Sequence, residues 1–230
     1  MNLKEFTNKF NEISNRGWIE TKRKGDTGVG YTLESLLGLV ENNISAPDIE
    51  GHELKAKRNR KSPSRQTLFT YEGDWCMSNT SFLDKYGYLH SDLLETSGNM
   101  TVSCKPNVHD VYLNTDCKKS LKLKGLNEET IISWEWEKLV ERFIRKFPKA
   151  IQVTADTKKI NGVEHFHYTT AMLFSGGSKK AFKKYTSSGC IISELRLRTD
   201  GYSSPRNHGT AFRIAQSKFG YLFDSVQTIH

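Results

Sequence analysis

The sequence predicts a mixed α/β (α+β) fold, with helices and strands interleaved along the chain. Three observations carry this. Residues 52–57 alternate in side-chain type at the two-residue period of a strand. Trp136, Leu139, Val140, Phe143, Ile144 and Phe147 recur at helical spacing. Asn161-Gly162 separates two strand-like runs, and both positions of a type I′ hairpin turn need positive φ, which this dipeptide tolerates best.

The elements follow in order. Leu3, Phe6, Phe10 and Ile13 predict an amphipathic helix over the first dozen residues, with Gly17 ending its connection. Residues 22–30 form a basic, Gly-rich loop. Thr32 is the candidate N-cap of a helix through Val40, whose buried stripe is Leu33, Leu36, Leu37 and Val40. Glu34 sits at the edge of that stripe, where it can face a cleft or simply be solvated. Residues 52–57 and 67–71 read as strands joined by a basic segment, with short strands around 100–104 and 111–113. Pro148 closes the helix over 136–147, whose aromatics belong to a core rather than to a stacking platform. Strands over 150–156 and 163–169 flank the Asn-Gly turn. A basic segment with helical potential over 178–187, a strand over 191–198, a loop from Gly201 to Asn207 and a strand over 209–215 complete the chain.

At 230 residues there is room for one domain or two small lobes. Lysine and arginine outnumber aspartate and glutamate 34 to 26, and the net charge of +8 favours a polyanionic partner through counterion release. An ordinary basic protein has the same balance. No apolar run approaches the ~20 residues of a membrane-spanning helix, and the N-terminus lacks a signal-peptide core, so no membrane association and a cytoplasmic, prokaryotic location are expected. Cys76, Cys104, Cys117 and Cys190 form no Cys-x-x-Cys pair, which argues against a zinc ribbon and for reduced thiols.

The chemically richest stretch is Asp48-Ile49-Glu50-Gly51-His52-Glu53-Leu54-Lys55. On a strand, Glu53 and Lys55 share one face while His52, Leu54 and Ala56 take the other. Asp48 can reach the same point from the preceding turn, which Pro47 and Gly51 suit. Two carboxylates beside an ammonium make a site for a hard cation such as Mg2+, and that set fits metal-assisted phosphodiester hydrolysis. By spacing alone, a solvated surface strand fits Glu53 and Lys55 equally well.

The segment Gly17-Trp18-Ile19-Glu20-Thr21-Lys22-Arg23-Lys24-Gly25-Asp26-Thr27-Gly28-Val29-Gly30 resembles the start of the MvaI/BcnI-type restriction endonucleases, relatives of the mismatch-repair nicking enzyme MutH. The resemblance continues through Thr32-Leu33-Glu34-Ser35-Leu36-Leu37 and Ala46-Pro47-Asp48 to Glu53-Leu54-Lys55, and returns at His208-Gly209-Thr210-Ala211-Phe212-Arg213-Ile214. The MvaI branch is the nearer, because Lys55 stands where the BcnI branch has a histidine. Residues 60–130 do not match.

The resemblance implies a PD-(D/E)xK nuclease fold, a mixed central sheet flanked by helices with a MutH-like two-lobed cleft. It implies one nuclease domain over 1–230, with a catalytic part over about 1–70 plus core elements and a recognition part over about 190–215. Asp48 and Glu53, with the Leu54 carbonyl between them, are implied as metal ligands, Lys55 as the catalytic lysine and Glu34 as an accessory carboxylate. The implied cofactor is Mg2+, with Mn2+ able to substitute and Ca2+ binding without cleavage. The implied enzyme is a monomer that cuts double-stranded DNA at a short, near-palindromic G/C-rich site, with a DNA methyltransferase encoded nearby.

Three basic clusters are candidate DNA contacts. Lys22, Arg23 and Lys24 precede the glycines, where a loop can clamp phosphates. Lys57, Arg58, Arg60 and Arg65 run out of the catalytic strand, although a charge run is more often a solvated face. Arg196, Arg198, Arg206, His208 and Arg213 lie near the C-terminus, and the arginine fork fits guanine O6 and N7. For Arg213 the competing role is a salt bridge to a carboxylate. A MutH-like nicking enzyme, a non-catalytic DNA-binding protein and an RNA-directed nuclease remain as rival readings.

Overall fold

The computed structural model describes residues 1–39, 49–59, 64–90, 95–125, 127–199 and 204–230. Val40, Asp48 and Arg60 therefore lie outside the described residues. In chain order the elements are α1 (Leu3–Asn15), β1 (Ile19–Glu20), α2 (Gly28–Leu37), β2 (His52–Arg58), β3 (Arg65–Thr70), β4 (Asp74–Trp75) and α3 (Asn79–Tyr86). Next come β5 (Tyr88–His90), β6 (Glu95–Ser97), β7 (Met100–Val102), β8 (Tyr112–Asn114), β9 (Ser120–Lys124), β10 (Thr130–Glu135) and α4 (Trp136–Lys146). The last are β11 (Lys149–Ile160), β12 (Val163–Gly177), α5 (Lys179–Ser187), β13 (Ile191–Leu195), β14 (Leu197–Thr199), β15 (Arg206–Asn207), β16 (Ala211–Ala215), a 3-10 segment (Gln216–Leu222) and β17 (Phe223–Thr228).

The chain divides into two compact units, neither continuous in sequence. The first comprises Met1–Ser64, Ile144–Ser178 and Gly220–His230. Its sheet runs β1-β12-β11-β2, with β17 also paired to β12. The predicted hairpin is present: Ile160 pairs with Val163 across Asn161 at φ 50° and Gly162 at φ 80°. β2 lies parallel to β11, with Lys55 opposite Gln152. The two strands come from distant segments of the chain, so no hairpin rule could have paired them.

One face of this sheet is a hydrophobic layer. Leu54, Ile151, Val153 and Ala155 pack there against Phe6, Phe10 and Ile13 of α1 and Val29, Leu33 and Leu37 of α2. α1 starts in a capping box, in which the Asn2 side chain accepts from Glu5 N–H and Glu5 reaches back to Asn2. α2 starts at Gly28, one turn before the expected cap at Thr32. A Cβ at Gly28 would lie 2.3 Å from the Arg23 carbonyl oxygen, so only glycine admits the helix start here. Thr32 is instead buried inside the helix, where its Oγ1 accepts the Lys22 N–H at 2.9 Å.

The second unit comprises Arg65–Phe143 and Lys179–Phe219. It holds three small sheets, ordered β3-β16-β13-β7, β4-β10-β9-β8 and β15-β14-β6-β5. Phe143 of α4 stacks on Phe182 of α5 at 5.0 Å, and Phe212 lies against Phe69 and Trp134. The strand expected over 191–198 is broken at Arg196. β13 joins the sheet of β16, whereas β14 joins that of β6. The break is stabilised by the Arg196 side chain, which donates to the carbonyls of His208 and Gly209 and to Thr70 Oγ1.

Candidate active site

Parallel pairing with β11 fixes which way the residues of β2 point. Leu54 faces the hydrophobic layer, so Glu53, Lys55 and Lys57 share the opposite face. In register beside them on β11 are Ala150, Gln152 and Thr154. Gln152 is 2 % exposed, a buried amide next to Lys55. β2 is entered through a tight turn: Glu50 and Gly51 have φ of 39° and 80°, and Ile49 and His52 exchange backbone hydrogen bonds at 3.0 and 2.6 Å. His52 is buried with Nδ1 3.0 Å from the Ile49 carbonyl oxygen. Asp48, the residue before Ile49 in the sequence, lies outside the described residues.

Glu53 is 5 % exposed, which requires a counter-charge. It has two: Lys55 Nζ donates to Oε1 at 2.6 Å, and Lys146 Nζ, from the end of α4, lies 3.4 Å from the same oxygen. Among the described residues, this sets one carboxylate between two ammonium groups. Oε2 receives no hydrogen bond from the described residues. A buried carboxylate whose Oε1 is held by lysines is a fitting donor for a hard divalent cation. Among the described residues no cluster of three Asp, Glu, His or Cys side chains is present.

Glu34 is half-buried on α2. Its Oε1 lies 3.7 Å from the position of a Cβ built on Gly30, and its charge acts on Tyr168. Tyr168 is opposite Ala155, which is paired with Arg58, so Glu34 is felt at the Arg58 end of β2 rather than at the Glu53 end. Burial, with the Glu34 carboxylate adding to it, pushes the Tyr168 hydroxyl well above its ordinary range, and that hydroxyl donates to Val29 O at 2.8 Å.

The first basic cluster lines a groove of about 800 Å³ between the Thr21–Asp26 loop and the β11–β12 turn, with Lys159 and Glu164 on the far wall. Lys22 and Lys24 are exposed, while the Arg23 guanidinium lies 3.7 Å over the Tyr31 ring. Arg58, expected along an open DNA-facing run, is instead committed internally. Its side chain is 7 % exposed, grips both Glu164 oxygens at 2.8 Å, and donates to Gly25 O and Asp26 O at 2.7 and 2.8 Å. Residue 58 follows the parity of Leu54, so strand alternation turns it inward. Lys57 is half-buried, and burial holds its pKa below the ordinary lysine value.

In the second unit Arg65, Arg206 and His208 are exposed, and Arg198 is half-buried opposite Arg206. Arg196 holds the His208–Gly209 turn as described above. Arg213 shows the ionic role weighed against base reading: Nη1 donates to Glu194 Oε2 and Nη2 to the Arg65 carbonyl at 3.2 Å. That ion pair fixes the guanidinium and commits part of its donor set. Sequence reading missed Lys146 and Gln152. Each reaches the site from a remote segment, and only the basic last turn of α4 hinted at the former.

The MvaI/BcnI restriction endonuclease family matches residues 7–223. The chain belongs to that family. Restriction endonuclease MvaI in complex with its cognate DNA substrate is similar over 100 % of both chains at 24 % identity, with a TM-score of 0.81. MvaI in the absence of DNA is similar over 99 % of this chain and 97 % of its own at 24 % identity, with a TM-score of 0.57. No curated protein matches the chain. The MvaI likeness bears out the expected restriction-endonuclease fold, and family membership makes the protein a nuclease.

Proposed function

We propose that this protein is a type II restriction endonuclease that cuts double-stranded DNA at a short, near-palindromic, G/C-rich site. It acts as a monomer in a prokaryotic cytoplasm, leaves 5′-phosphate ends and depends on Mg2+. Mn2+ substitutes, and Ca2+ supports binding alone. Its functional partner is a methyltransferase encoded nearby. The observation that carries this reading is the Lys55–Glu53 contact at 2.6 Å on one face of β2, in a chain of this family.

Glu53, Asp48 and the Leu54 carbonyl would hold the metal. Mg2+ in that place would polarise a phosphate oxygen and ease deprotonation of water. Glu53 would supply a carboxylate oxygen to the metal, with Lys55 and Lys146 holding Oε1. The Lys55 ammonium stabilises the negative charge that builds on the phosphate during attack. The basic loop at Lys22–Lys24 and the residues around His208 supply phosphate and base contacts.

The test is digestion of a plasmid of known sequence with Mg2+, followed by mapping of the ends. Discrete cuts at one short sequence support the reading. Absence of cleavage on any DNA, with binding intact, leaves a non-catalytic DNA-binding protein. Lys55→Ala should bind the mapped site and fail to cut it.

A further inference from the structure

Lys57 shares the face of β2 that carries Glu53 and Lys55, with Thr154 beside it on β11. It is half-buried, and among the described residues it has neither an ion-pair nor a hydrogen-bond partner. This sets it apart from its neighbours: Lys55 and Lys146 rest on Glu53, and Arg58 rests on Glu164. A partly desolvated ammonium without a counter-charge is unfavourable in the free protein. The cost is relieved when a ligand brings the missing negative charge.

Strand geometry limits where that charge lies. Two residues along a strand span ~6.6 Å, and one strand of duplex DNA carries a phosphate every ~3.4 Å of axial rise. With the reacting phosphate at Lys55, the charge opposite Lys57 is one or two phosphates further along the same strand. We infer that Lys57 is a substrate ligand that binds a phosphate one or two positions from the one that is cut. This inference rests on the nuclease reading above. It moves Lys57 from a generic basic run into the row of residues that positions the substrate.

The test uses the mapped cognate duplex in Ca2+ and compares wild type, Lys57→Met and Lys57→Arg. Single phosphates are replaced in turn by uncharged methylphosphonates. Lys57→Met should bind roughly tenfold more weakly, and its plot of log affinity against log salt should be shallower by ~0.9, the value of one lost phosphate contact. Lys57→Arg should retain most of the affinity. A methylphosphonate one or two positions from the cut should weaken wild type and leave Lys57→Met unchanged.

Unchanged affinity and salt slope in Lys57→Met, or equal sensitivity of both proteins at every methylphosphonate position, overturns the inference. Circular dichroism checks that each variant is folded, and Lys57→Gln serves as the uncharged variant if the methionine protein is not. A wild type that binds DNA but never cuts overturns the nuclease reading, and the affinity and salt slope of Lys57→Met on that DNA still decide whether Lys57 holds a phosphate. A wild type that binds no DNA overturns both.

Discussion

Lys146 ends α4 with its ammonium 3.4 Å from Glu53 Oε1, the oxygen that Lys55 already holds at 2.6 Å. The two lysines are unequal partners. Lys55 is anchored on the same strand as Glu53 and makes a short hydrogen bond. Lys146 is longer in reach and about one-third exposed, so solvent screens its contribution. Lys55→Ala should therefore lower the single-turnover cleavage rate by ~10²–10³ or more, the scale of a lost charge-stabilising group, with cognate binding retained. Lys146→Ala should lower it by no more than roughly tenfold. Equal effects would place Lys146 in direct contact with the reacting phosphate.

Metal removal is the second test. With EDTA in excess, cleavage should stop. Added Mg2+ or Mn2+ should restore it, and Ca2+ should restore binding without cutting. Glu53→Gln keeps the shape of the site but gives up the carboxylate that a hard cation requires, so excess Mg2+ should not rescue it. The readout is the cleavage rate across a Mg2+ titration.

The Arg58–Glu164 pair gives a stability prediction. Removing Glu164 strands the buried Arg58 guanidinium, at the ~3–5 kcal/mol scale of a broken buried pair, whereas removing Arg58 leaves a half-buried carboxylate that solvent partly screens and costs less. Arg58→Met should shift the urea midpoint accordingly and free the Gly25–Asp26 carbonyls from their anchor. The double variant Arg58→Met with Glu164→Met should lose less than the two single variants combined, because no unpaired charge is left. Additive losses would show that the pair is not coupled.

Cys117 gives a pH prediction. Hydrogen bonding from Ser120 and from the Lys119 and Ser120 backbone lowers its thiol pKa to about 7. The thiolate is the reactive form, so iodoacetamide labelling of Cys117 should rise through a midpoint near that value. Ser120→Ala should move the midpoint upward. The same midpoint in both proteins would exclude the Ser120 contact as the cause.

Legibility in the sequence followed the range of the interactions. Alternation marked β2, helical spacing marked α1 and α4, and Asn161-Gly162 marked the hairpin, because each pattern is set by neighbours in the chain. The facing of Glu53 and Lys55 followed from strand parity alone. The same parity, applied to residue 58, would have turned Arg58 inward, but the run of positive charge suggested a solvated face. Gln152 meets β2 through a parallel pairing, and Lys146 reaches it from the end of α4; no local pattern encodes either. Thr32 misled because a polar residue before an apolar run looks like a cap, whereas here it brackets a loop from inside the helix. Arg196 misled because alternation continues through it while the chain changes sheets.

Lys55 has no neighbour across the sheet until Gln152 has been made, and β12 is not bordered along its far end until Phe223–Thr228 has emerged. A polypeptide that ends before β11 therefore cannot assemble the proposed centre, however early its acidic and basic groups appear. A fragment that stops short of residue 152 holds Glu53 and Lys55 on a strand without its partner, so the order of synthesis keeps early fragments inert.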